Sequence, residues 1–273
     1  MNTSKAGKTA ILVVSFGTGY QNGPDVAIGA IENSIAKKFP DYEVRRAFTS
    51  RIIIDTLRVR NGLKTENVEE GLIHALEDGI TDLVVQPTYL TDGYENRNLA
   101  NILSDYKDKF HRVVLGESLL TDDDDFEAVV KAITDKTASY GDGRTVVCFM
   151  GHGTRTDANI VYKKLQETLR VAGFQNYYIA TMKADPTLNQ VIASLKQNSA
   201  CKKVILQPLM VVAGYHANNE MAGNAENSWK KILEKEGYEV ECFLEGLGQN
   251  PKIQELYVKH TQAAVERLRY QKL

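Results

Sequence analysis

Short aliphatic and β-branched runs alternate along this chain with longer stretches whose apolar positions recur three or four residues apart. The short runs predict strands at Ala10–Ser15, Glu43–Phe48, Leu83–Gln86, Arg112–Gly116, Thr145–Met150, Tyr177–Met182, Lys203–Gln207 and Glu239–Leu244. The longer stretches predict helices over Asp25–Lys38, Thr65–Asp78, Asp123–Lys136, Asp157–Val171, Pro186–Gln197, Asn218–Lys235 and Pro251–Arg269. In the first of these Val26, Ile28, Ile31 and Ile35 follow the 3.6-residue period. Thr65, Asp123, Asp157, Pro186 and Pro251 stand where caps and first turns belong. Continuous apolar strands such as AILVV and KVILQ suit a parallel sheet covered on both faces. Strands and helices in alternation therefore predict an α/β fold.

The pattern also repeats. Ser15-Phe16-Gly17-Thr18 follows the first strand and Gly151-His152-Gly153-Thr154 the fifth, an offset of 136 residues. Gln86-Pro87 through Tyr94-Glu95 matches Gln207-Pro208 through Tyr215-His216 at an offset of 121. The expectation is two similar lobes, each a four-stranded, mostly parallel sheet flanked by helices, with a cleft between them. The Ser, Gly and Asp cluster over Ala138–Arg144 puts the boundary near there, giving lobes 1–140 and 141–273. The last helix is free to brace the first lobe.

Ligands of such folds gather at strand C-termini. That selects His152 and His216 from the second half, and Ser15, Thr18, Tyr89 and Glu95 from the first. A turn histidine making a local hydrogen bond would account for either imidazole alone. Their matching positions at strand ends favour a joint role. Two imidazoles and a carboxylate suit a borderline divalent metal such as Co²⁺, Ni²⁺, Fe²⁺ or Zn²⁺. The carboxylate nearest by the repeat is Glu95, the counterpart of His216. A neutral imidazole could also take protons from a substrate. His74, His111 and His260 read as surface or structural, and Asp122–Asp125 as a solvated helix start.

Composition narrows the classes. The 273 residues carry 33 Lys and Arg against 35 Asp and Glu, a net charge of −2. That balance gives no basic field for nucleic acid and no polybasic arm for a membrane surface. A 43% hydrophobic content is ample for a core. Cys148, Cys201 and Cys242 form no CxxC pair, which points to a reducing, cytoplasmic setting. MNTSKAGKTAILVVSFG reads as a leading strand rather than a signal peptide, and no run approaches the ~20 apolar residues of a membrane span. SFGTGYQNG lacks a Walker lysine, so no nucleotide is expected. GxSxG and HExxH are absent.

VVSFGT, RRAFTS with Arg51-Ile52-Ile53, FMGHGT, LQPLMVVAGYHANNEM, SWK and GLGQNP, in that order, resemble the anaerobic sirohydrochlorin cobaltochelatases of the CbiK type. The likeness runs over nearly the whole chain. It implies two α/β lobes enclosing a tetrapyrrole, a lyase activity inserting Co²⁺ without ATP, and His152 and His216 as metal ligands that also receive pyrrole protons. Ni²⁺ and Fe²⁺ remain open as the metal. Glu95 would be the acidic partner, and Phe16, Tyr89 and Met210 would contact the macrocycle. Arg51 and Arg155 could pair with substrate carboxylates. Self-association is common in this family and is left open.

One residue departs from the family. Its third metal ligand is a glutamate at the end of the sixth strand, and alignment on Pro186 puts Lys183 there. An ammonium cannot ligate and repels a dication. Either Asp185 supplies the carboxylate, or His152, His216 and Glu95 suffice, or insertion is lost and Lys183 pairs with a tetrapyrrole carboxylate. The last leaves a tetrapyrrole- or haem-binding protein, or an iron chelatase or dechelatase, as the alternative function.

Overall fold

The computed structural model describes residues 7–19, 24–62, 65–140, 143–198 and 200–270. All eight expected strands form, and they divide into two four-stranded parallel sheets.

The first unit is Met1–Leu119 with Gln254–Leu273. Its sheet runs β2-β1-β3-β4, from β1 (Lys8–Ser15), β2 (Glu43–Phe48), β3 (Ile80–Pro87) and β4 (Arg112–Leu115). Ala10–Val14 in β1 and Leu83–Val85 in β3 are fully buried. Parallel strands covered on both faces bury every side chain, and each such aliphatic contributes roughly 1.5–3 kcal/mol. Helices α1 (Gly29–Lys38), α2 (Arg51–Asn61), α3 (Val68–Glu77) and α4 (Tyr94–Tyr106) connect the strands. A π-helical turn, Pro24–Ile28, leads into α1.

The second unit is Leu120–Ile253. Its sheet runs β6-β5-β7-β8, from β5 (Thr145–Gly151), β6 (Tyr177–Thr181), β7 (Lys203–Leu209) and β8 (Glu239–Cys242). It carries α5 (Asp123–Asp135), α6 (Ile160–Val171), α7 (Leu188–Gln197) and α8 (Trp229–Lys235). The final helix, α9 (Pro251–Tyr270), belongs to the first unit from Gln254 onward. There Tyr257, fully buried, donates its hydroxyl to the carbonyl of Thr88 at 3.1 Å, just past β3.

The repeat is legible in the register. Gln86 of β3 pairs with Val13 of β1, and Gln207 of β7 with Phe149 of β5. Those four positions carry the same offsets of 136 and 121 residues as the sequence motifs. Asn67 caps α3 and bridges Phe48 at the end of β2, as Thr187 caps α7 and bridges Thr181 at the end of β6.

Several expectations are corrected. The division falls at Leu119/Leu120, not near 138–144, because α5 packs on α6 and is tied to the segment after β8. Asn250 donates to Ala132 O at 2.9 Å, and Lys136–Glu245 and Lys252–Asp135 are ion pairs. The helix expected over Asn218–Lys235 breaks into a π-turn, His216–Met221, and α8. Ser228 stops it by capping α8 through Lys231 N and donating to Gly223 O. Asp125 is fully buried, accepting from the Thr121 and Asp122 amides, rather than solvated. No described helix is long and apolar enough to cross a membrane.

Asp82 braces the first unit. Arg112 donates to it through Nε (2.8 Å) and Nη2 (3.2 Å), and through Nη1 to Leu268 O of α9 (3.2 Å). The Arg112 guanidinium holds the Asp82 carboxyl below its ordinary value of 3.8. The brace therefore contributes fully above that value and is lost as pH falls through the lower folded value. Asp82→Asn should cost about 1.5–3 kcal/mol at pH 7 and flatten the acid limb of stability. Urea unfolding of both proteins from pH 7 to pH 2 checks this.

Candidate metal centre

Adjacent strands β5 and β7 run in register to Gly151 and Leu209. Beyond that point the chain parts, from β5 toward β6 on one side and from β7 toward β8 on the other. Such a switch point leaves an opening at the strand C-termini. His152 follows β5 directly, and His216 follows β7 after a short loop. Their ring centroids lie 5.2 Å apart, inclined at 66°.

The His152 turn is built by its neighbours. A Cβ on Gly151 would lie 2.3 Å from the Tyr162 ring. Gly153 has φ +76°, and a Cβ there would sit 2.6 Å from Thr181 Oγ1. The Gly153 amide donates to Tyr162 Oη at 3.2 Å, and the Lys183 amide to His152 O at 3.1 Å. Thr154 N is held by Asn159 Oδ1. Only a Gly-His-Gly sequence lets the backbone pass so close to its supports while leaving the imidazole exposed.

The His216 turn is pinned by its own amides. Asn218 donates Nδ2 to Ala213 O (3.0 Å) and Gly214 O (2.8 Å), and Asn219 donates Nδ2 to Tyr215 O (3.0 Å). Ala217 and Met221 are fully buried beneath. The Gly246 loop buttresses the approach, with Leu247 N on Met210 O and Gly248 N on Val211 O.

Both rings are oriented through Nδ1. His152 Nδ1 lies 2.8 Å from Gly153 O, and His216 Nδ1 lies 2.9 Å from Glu220 Oε2. A carbonyl and a carboxylate can only accept, so each Nδ1 carries the proton and each neutral ring keeps its lone pair on Nε2. That is the tautomer a metal ligand or proton acceptor needs. Two metal–nitrogen bonds of about 2.1 Å plus two ring radii exceed the observed separation, so the spacing of the rings is within the span of one shared ion. Among the described residues no three His, Cys, Asp or Glu side chains group as a metal cage.

The other expected residues are distributed as follows. Lys183 is exposed two residues past β6, its amide bonded to the His152 turn, and Asp185 is exposed. Met210 is half-buried against the core of the second unit. In the first unit Phe16 is 49% exposed and Glu95 half-buried in the first turn of α4. Tyr89 is packed in the core instead of standing at a ligand surface, and burial pushes its hydroxyl pKa up. Ser15 is buried with its hydroxyl 2.7 Å from that of Thr88, and Thr18 is buried. Arg51 and Arg155 are exposed. His74 pairs with Glu66, His111 with Asp82, and His260 is buried.

Sequence reasoning missed Glu220, four residues after His216 and hydrogen-bonded to its ring.

Two parallel four-stranded α/β units, the second with two adjoining imidazoles beyond its strand C-termini, define the class as a repeated α/β fold with a candidate site at a switch point. A family model described as cobalt chelatase (CbiK) matches residues 9–266. The chain is 33% identical over 258 residues to the sirohydrochlorin cobaltochelatase of Salmonella typhimurium, covering 94% of this chain and 97% of that one. It is 30% identical over 263 residues to the sirohydrochlorin cobaltochelatase CbiKC of Nitratidesulfovibrio vulgaris, covering 96% and 92%. The chain belongs to the CbiK cobalt chelatase family. Among solved structures, SirB from Bacillus subtilis with Fe³⁺ matches with a TM-score of 0.69 at 14% identity, over 97% of this chain and 98% of that one. CbiX, described as the terminal enzyme of sirohaem biosynthesis in denitrifying bacteria, matches at 0.58 and 16%, over 93% and 99%. At these identities the likeness shows the fold.

Gly153→Ala tests the turn. A side chain at φ +76° pressed on Thr181 should cost about 1–3 kcal/mol of stability, read by denaturant unfolding.

Proposed function

We propose that this protein inserts Co²⁺ into sirohydrochlorin, without a nucleotide, as the cobaltochelatase relatives are named to do. The observation that carries the reading is the imidazole pair, 5.2 Å apart, each with its Nδ1 committed to an acceptor. Insertion exchanges two pyrrole N–H protons for one divalent ion. The two Nε2 atoms hold the entering Co²⁺, and once it moves to the ring nitrogens the same lone pairs accept the protons. Met210, at the start of the loop that carries His216, contacts the macrocycle. Lys183 pairs with a substrate carboxylate, a role suited to an exposed ammonium beside the His152 turn.

The test is Co²⁺ insertion followed by the absorbance of the product. His152→Ala and His216→Ala should each lower the rate by about 10²-fold or more. Activity that survives loss of both overturns the mechanism. Lys183→Glu should raise KM for sirohydrochlorin without raising kcat. A strong gain of insertion in that variant would instead mark a tetrapyrrole-binding protein that lacks one metal ligand.

A further inference from the structure

We infer that Glu220 is a positioning residue that sets His216 in its Nδ1–H tautomer and so aims the Nε2 lone pair at the incoming metal. This rests on His216 being a metal-binding residue, as proposed above. Glu220 Oε2 accepts from His216 Nδ1 at 2.9 Å. Both residues lie on one π-turn, His216–Met221, closed by Ala222 N on Ala217 O at 3.1 Å. Asn218 and Asn219 tie that turn to the preceding loop, and Ala217 and Met221 anchor it in the core. The carboxylate therefore approaches the ring from a backbone that is itself held.

Fold stability does not account for Glu220. Its side chain is 42% exposed and that of His216 36% exposed, and pairs so wet add little to folding. Among the described residues no lysine or arginine pairs with Glu220, so its carboxylate is committed to the imidazole. A histidine with no Nδ1 acceptor divides between two tautomers, one of which puts the proton on the ligating nitrogen. A carboxylate on Nδ1 removes that competing form and strengthens the Nε2 donor.

His152 supplies an internal control. Its Nδ1 donates to a backbone carbonyl, Gly153 O at 2.8 Å, so it reaches the same tautomer without any side chain. The two imidazoles are set alike by different devices, and one substitution can release one ring alone.

The experiment uses the full chain, metal-free, with nitrogen-15-labelled histidine, at a pH where the rings are neutral. Long-range proton–nitrogen correlations should show Nε2 unprotonated in both His152 and His216. Glu220→Ala should move His216 toward a tautomer mixture and leave His152 unchanged. Glu220→Gln, whose amide oxygen still accepts, should retain most of the wild-type signature. Titration with Co²⁺ alone, followed by the visible absorption of the bound ion, should show binding weakened about 10–100-fold in Glu220→Ala and less in Glu220→Gln. An unchanged His216 tautomer in Glu220→Ala overturns the inference. A shifted tautomer in a protein whose wild type binds no Co²⁺ upholds the positioning and removes the metal reading instead.

Discussion

The parting of two in-register parallel strands governs the candidate centre. β5 and β7 pair as far as Gly151 and Leu209, and their continuations then diverge toward opposite edges of the sheet. Neither loop can cover the other's strand end, so both histidines come to lie over one opening. Tight turns on either side are a consequence. The His152 turn must reverse directly against Thr181 and Tyr162, which requires glycine at 151 and 153. The His216 turn must close quickly after Met210–Tyr215, which it does through a π-turn and two asparagine side chains. Buried strands hold the two turns at a constant spacing. Val146–Met150 and Val204–Leu206 are at most 2% exposed, and dense packing leaves them no alternative register.

The same skeleton occurs twice, with different chemistry at its ends. Gly17, at φ +92°, turns over Phe48 at the end of β2, as Gly153 turns over Thr181 at the end of β6. Between those supports the equivalent of His152 is Phe16, and the equivalent of His216 is Glu95. One unit presents an aromatic ring and a carboxylate where the other presents two imidazoles. Positions that set backbone geometry are alike in both units, and positions whose side chains project past the strands are not. The difference between the two units is thus a matter of a few residues at the strand ends of one shared skeleton.

Strands were legible because continuous burial leaves a continuous aliphatic signature, and the repeat was legible because it rests on backbone-forming residues. Helices α2 and α4 were not. In α2, Ile52 and Val59 are 80% and 86% exposed, which blurs any apolar stripe. In α4 the fully packed positions are Leu99 and Leu103, too few to establish a period. The boundary misled because a run of small residues marks a local turn, whereas the true division follows the packing of α5. At the site, the two histidines stood out through their repeat positions. Glu220 did not, because a spacing of four reads as a helix face, and the π-turn that brings it to the ring has no sequence signature of its own. Tyr89 looked like a ligand contact by motif position, but an aromatic so close to a strand end packs inward here.

A sparse ligand set has its own logic for a protein that passes a metal on. Four protein ligands close a tetrahedral coordination sphere, as structural sites do. The two imidazoles of the proposed site would leave positions free for the nitrogens that must take the ion over, and affinity order alone does not then select one metal. In the proposed reading Lys183 is compatible with that logic. Its side chain is exposed, so water and salt screen its repulsion of a nearby dication. The same charge attracts a substrate that brings several carboxylates at once. In the proposed site an ammonium at this position would weaken the hold on the metal slightly and strengthen the hold on the macrocycle, which is the direction transfer requires.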